Sequence, residues 1–212
     1  WYRTLFADGE MLRAARNSLF IAGVASLAAT VLGTLAGLAM YRYRPRWLPL
    51  LVITPVAMPE ILLGVSLMVF FIQVLHLTLG LVSIVLAHIT FSVGFVAIVV
   101  WTRLTGMDAS IFDAARDLGA NEWQSFRRIT LPLILPAVAA GGVMAFTLSL
   151  DDFVITFFTA GVGVSTLPLQ IYSMIKIAVT PEVNAISTLL MLLTLSLVGL
   201  AARLDKNIMR VQ

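Results

Sequence analysis

Five long apolar stretches constrain this chain more than any other feature: residues about 18–40, 48–75, 81–101, 131–158 and 184–202. Each reaches the roughly 20 residues that an α-helix needs to cross a hydrocarbon core. In lipid, every backbone N–H and C=O must be paired inside the protein, so such stretches fold as helices. The second and fourth, at about 28 residues, exceed the hydrocarbon thickness and must tilt, break or protrude. Pro55 and Pro59 are expected to break the second, and Pro136 with Gly141-Gly142 to bend the fourth. The expectation is an all-α, polytopic transmembrane helical bundle forming a single domain over residues 1–212.

Composition agrees. The chain is 60% hydrophobic and 12% charged, with mean hydropathy +0.99; a soluble domain carries about 25% charged residues. Cysteine is absent, which removes disulfides and thiolate metal sites. The two histidines, His76 and His88, do not build a metal site alone. No G-x-x-x-x-G-K-[ST], H-E-x-x-H or G-x-S-x-G occurs, so nothing points to ATP binding or hydrolytic catalysis on this chain. The net charge of +3 gives no argument for nucleic acid. The first apolar run is too long for a cleavable signal and lacks a cleavage pattern.

Basic residues orient the spans. Arg42, Arg44, Arg46, Arg103, Arg116, Arg127, Arg128, Arg203, Lys206 and Arg210 fall on one side, ten of the 14 basic residues. Arg3, Arg13, Arg16 and Lys176 fall on the other. The bias places the 103–130 segment and the C-terminus in the cytoplasm and the N-terminal segment outside. An outside N-terminus suggests one further span upstream, six in all.

The 103–130 segment is a polar island between two spans. Asp108 is suited to cap a helix through Ile111, Ala114, Ala115 and Leu118, ended by Gly119. Asn121 caps a second helix, with Gln124 at the third position as a loose capping box. Trp123, Phe126 and Ile129 recur at helical spacing. Small Ala114 and Ala115 allow close approach by another protein, and Gly119 permits positive φ. Leu131-Pro132 then restarts the chain as a membrane helix, with proline in its tolerated first turn. An amphipathic loop lying on lipid headgroups is the plainer alternative.

Three carboxylates lie within the spans, where charge is costly and usually functional. Glu60 follows Pro59 at the expected break; Asp151 and Asp152 sit in the outer part of the fourth span. Ser149, Asp152, Thr156 and Thr159 fall on one helical stripe, which favours Asp152 as the pore-facing acid. Phe153 and Phe157 form an i, i+4 aromatic pair. Acids beside aromatic rings suit an organic cation, through charge and cation–π contact. No basic residue lies in the second or fourth span to neutralise them. Alternatively, the acids cap helices at broken spans or bond between helices. His88, in mid-span, reads as a hydrogen-bonded packing histidine rather than a proton relay. Gly33 and Gly37 form a G-x-x-x-G suited to close helix contact. The Tyr41-Arg42-Tyr43-Arg44 run reads as an interfacial anchor. The semi-apolar 167–175 stretch reads as a re-entrant or interfacial helix, or an inert connector.

Asp113-Ala114-Ala115, then Gly119, Ile129, Leu131 and Pro132, fits E-A-A-x3-G-x9-I-x-L-P with Asp for Glu. This resembles the EAA loop in membrane subunits of binding-protein-dependent ABC importers. Further blocks are similar to the C-type permease subunits of spermidine/putrescine importers: Leu38–Arg44, Ser83–Phe95, Asp113–Gly142, Phe146–Asp152, Leu167–Met174 and Pro181–Ala185. The resemblance implies a type I importer permease in the bacterial inner membrane. Its partners would be a second permease, an ATPase dimer that binds ATP and magnesium, and an extracytoplasmic solute-binding protein. It implies no cofactor on this chain, ATPase coupling through Asp113–Pro132, and polyamine passing Glu60, Asp151, Asp152, Phe153, Thr156 and Phe157. An importer for another small solute, such as an amino-phosphonate or ferric iron, is the alternative. An ion-coupled carrier or channel would use the same acids.

Overall fold

The structure, a computed structural model, describes residues 8–108, 110–177 and 181–209. It is all-helical among these residues. Helix α1 (Gly9–Tyr43) is longer than the expected first span. The Asp8 carboxylate starts it by accepting from the Glu10 N–H at 2.9 Å. Arg44, at φ 47°, ends it.

The second span breaks at Pro59 but not at Pro55, which stays within a helix. Helix α2 (Trp47–Ala57) contains Pro55, and α3 (Glu60–Val69, with a π turn Phe70–Val74) begins behind Pro59. The two halves meet at 107°. Helix α4 (Leu81–Thr105) is a single uninterrupted span.

The polar island folds as α5 (Ser110–Asp117) and α6 (Glu122–Ser125). From α6 the helix continues through a π turn, Phe126–Thr130, into α7 (Leu131–Asp151). The expectation that Leu131-Pro132 restarts the chain is therefore corrected. Residues Glu122–Asp151 form one 30-residue helix, and the Asn121 cap has already supplied its start. Pro136 and Gly141-Gly142 remain helical, and the fourth span is interrupted further on at Asp152, which is extended at φ −65°, ψ 124°. Short α8 (Val154–Thr159) follows. Helix α9 (Leu167–Ile177) is the expected 167–175 helix, and α10 (Pro181–Met209), with a shorter apolar part Val183–Gly199, stands where the fifth span was expected. Arg3 and Arg210 of the charge count lie outside the described residues.

Helices α1, α4 and α7 form the centre, with Ala29, Val96, Val100, Leu104, Ile134 and Ala145 buried together. Without water to drive helices together, close backbone approach does the work. A Cβ added at Gly33 would stand 2.6 Å from Val96 Cβ, and one at Gly37 would stand 2.9 Å from the Ala97 carbonyl. The G-x-x-x-G pair is thus the α1–α4 seam. Gly94 gives α2 the same access to α4, since a Cβ there would lie 2.6 Å from the Val52 carbonyl. Helix α10 packs on α7, and α9 on α1, where the Ser18 hydroxyl accepts the Leu167 N–H at 2.8 Å.

Candidate functional site

Two polar regions interrupt the apolar bundle. The first is the elbow made by α5 and α6. The Asp108 carboxylate accepts the Ser110 N–H at 2.9 Å. This bond holds its carboxyl below the ordinary carboxylate range. Gly119 turns the chain at φ 77°, a left-handed conformation that a β-branched residue resists. At Asn121 the box closes both ways: the Gln124 N–H donates to the Asn121 side chain at 2.8 Å, and the Asn121 N–H to the Gln124 side chain at 3.0 Å. These elements match the sequence expectation.

The elbow turns apolar groups outward. Leu118 is 88% and Trp123 66% exposed, and Trp123 stacks on Phe126 with ring centroids 5.8 Å apart. Asp113, Ala114, Gly119 and Pro132 are exposed; Ile129 and Leu131 are half-buried. Ala115 differs from expectation: it is 5% exposed and packs inward, so the small surface open to another protein is Ala114 and Gly119. The helical period puts successive alanines about 100° apart, so one faces in when the other faces out. The elbow is tied to the end of α1 by an Arg42–Glu122 ion pair at 2.6 Å. A groove of about 690 Å³ lies between them, lined among others by Tyr41, Arg42, Phe112, Asp113, Arg116 and Phe126.

The second region is the break between α7 and α8. Here the Ser149–Asp152–Thr156–Thr159 stripe does form one face, but it faces into the chain. The Asp152 side chain is 7% exposed, and Thr156 and Thr159 are fully buried. Asp152 is therefore not the outward-facing acid. Its carboxylate accepts the Thr156 N–H and hydroxyl, each at 2.8 Å, and so caps α8. His88 Nε2 stands 2.9 Å from Thr156 Oγ1 and 3.3 Å from Asp152. Because the Thr156 hydroxyl spends its proton on Asp152, Nε2 must donate to it. Nδ1 bonds the Ser149 hydroxyl at 2.6 Å. The expectation overlooked this partner because it sought partners for the acids only within the second and fourth spans; His88 comes from the third.

Asp151 is the acid that faces out of the chain. Glu60 is exposed at the start of α3. Phe153 lies 5.6 Å from Phe157 and 4.7 Å from Tyr172 between ring centroids, and Phe157 is 52% exposed. Lys176 Nζ sits 5.9 Å from the Tyr172 ring centre. Asp151, Phe153 and Tyr172 line a groove of about 440 Å³ between α9 and α10, walled otherwise by mostly apolar groups such as Ile171 and Met191, with Ser187 and Thr194. Tyr172 was not singled out from the sequence; it lay within the 167–175 stretch, which was read only as a helix or a connector. Thr156, expected on the passage, is a bonded core residue instead. Among the described residues no three His, Asp or Glu side chains gather to hold a metal ion.

A bundle of broken and intact spans carrying a polar, exposed elbow defines a membrane transport subunit. The family model for the binding-protein-dependent transport system inner membrane component matches residues 29–210, and the chain belongs to that family. It is 44% identical over 201 residues to the spermidine/putrescine transport system permease protein PotC of Escherichia coli (strain K12), covering 93% of this chain and 76% of the relative. It is 40% identical over 200 residues to the putrescine transport system permease protein PotI of the same strain, covering 90% and 71%. Its fold is that of the ABC type I importer permeases. An inward-facing MetNI methionine ABC transporter structure superposes with TM-score 0.79 at 20% identity, covering 93% of this chain and 95% of that one.

Proposed function

We propose that this chain is one of two permease subunits of an ATP-driven importer for polyamines such as spermidine and putrescine. The observation that carries the substrate class is the outward-turned Asp151 carboxylate lining one groove with Phe153 and Tyr172. A polyamine alternates ammonium groups with short alkyl links. A carboxylate meets the first by charge, and aromatic faces meet both. The substrates named for the two polyamine permeases support the same class.

ATP and magnesium bind a separate ATPase dimer, and an extracytoplasmic binding protein delivers the substrate. The elbow, with Asp113, Ala114 and Gly119 at its surface and Leu118 and Trp123 exposed, is where the motor grips. Elbow and C-terminus are cytoplasmic. The Arg42–Glu122 pair supports this by setting the Arg42–Arg46 turn beside the elbow, so these basic residues share one end.

Reconstitution of the complete complex in vesicles tests the reading. Labelled spermidine should accumulate only with ATP and binding protein, and unlabelled putrescine should compete. Uptake that ignores ATP would reject the motor; indifference to polyamine competitors would reject the substrate class.

A further inference from the structure

Asp151 and Asp152 are neighbours with opposite fates: one is exposed and the other is shut inside the chain. On an unbroken helix the two would point about 100° apart, and nothing in their chemistry would favour either. The break between α7 and α8 makes the choice, and it is held from outside the span. His88 is 1% exposed and comes from α4. Its two ring nitrogens take partners on opposite sides of the break. Nδ1 bonds Ser149, in the last turn of α7, at 2.6 Å. Nε2 bonds Thr156, on α8, at 2.9 Å and faces Asp152 at 3.3 Å. One rigid ring thus staples both halves of the fourth span to the third. Asp152 has nowhere else to turn, since its carboxylate also caps α8 through the Thr156 N–H.

We infer that His88 is a positioning residue for substrate recognition: by stapling both sides of the break it commits Asp152 to the core and presents Asp151 to the cation. This rests on the reading that Asp151 lines the polyamine passage. A planar ring fixed at both nitrogens sets a relative orientation, which one bond to one side does not.

The chain has no cysteine, so Asp151→Cys introduces its sole thiol. In the assembled complex, labelling of this chain by a cationic, water-soluble methanethiosulfonate reads whether position 151 faces the aqueous passage. His88→Leu in that background should slow labelling at least tenfold. His88→Gln, which restores a donor toward Thr156 and Asp152 but not the Ser149 side, should slow labelling only about threefold. An unchanged rate in the leucine variant overturns the proposal. Should that variant fail to accumulate, Ser149→Ala cuts only the Nδ1 side of the staple. It should slow labelling about threefold, and parental labelling there overturns the proposal equally.

On the otherwise native chain, His88→Leu should raise the uptake KM for spermidine at least tenfold with ATP hydrolysis per complex within twofold. A native KM would also overturn the inference. Asp151→Asn separates the two ideas. If it transports polyamine normally, the passage reading fails, while the labelling rates still decide what His88 does.

Discussion

The break at Asp152 and the elbow at Asp108–Asn121 use the same local device, a short polar side chain accepting N–H groups at a helix start. They differ in where the rest of the support comes from. The elbow's caps close within three residues of sequence, Asp108 to Ser110 and Asn121 to Gln124. The break's cap is shared with a histidine from another span, 68 residues from the threonine it bonds. The elbow therefore holds its shape through its own near neighbours and leaves its surface exposed. The break is welded into the bundle, and what it offers outward is the residue next to the weld.

The comparison predicts that damage to the break is paid in stability and damage to the elbow in coupling. Asp152→Ala should have the largest effect. It strands the imidazole, the Thr156 hydroxyl and helix-start N–H groups where no water replaces the carboxylate. The expected cost is about 2–4 kcal/mol, read from SDS-induced unfolding of the purified complex. A native unfolding curve would break the contrast. Gly119→Val should do the reverse. No atom lies within 4 Å of a Cβ there, so only backbone strain at φ 77° opposes it, about 1–2 kcal/mol. Uptake should fall at least tenfold with the spans intact, and normal transport would remove the elbow from the motor's grip.

Smaller effects sharpen the local side. Asp108 has a lowered folded pKa, so its capping stability is full above the unfolded value of about 3.9 and fades as pH falls through the folded one. Helix α5 should show constant amide protection from pH 7 to about 5 and lose it only in stronger acid; Asp108→Asn should flatten that acid step. Arg42→Gln should change least. Both partners of its ion pair are more than half exposed, so unfolding should be unaltered at physiological salt. A clear loss would mean that the elbow depends on α1 for its fold.

The same difference explains what the sequence could convey. The elbow was legible because Asp108, Gly119, Asn121 and Gln124 act on near neighbours. The Pro59 break and the Gly33–Gly37 seam were legible because proline and glycine act through their own backbone. The Asp152 break was not foreseen, since only a bend at Pro136 and Gly141-Gly142 was expected in that span. The deciding partner, His88, is distant in sequence, and the stripe that announced a polar face did not say which way the face looked. Ala114 and Ala115 show the same limit on a smaller scale. The motif marks both, and only packing tells which one is turned inward.

The Gly33–Gly37 seam has a mechanical consequence. Backbones pressed this close leave no slack for sliding, so α1 and α4 must travel through the transport cycle as a single strut. Any change of shape has to be taken up where the chain is already interrupted, at Pro59, at Asp152 and at Gly119. A spin-label pair across the seam should report one fixed separation with and without nucleotide, while pairs across those interruptions report two.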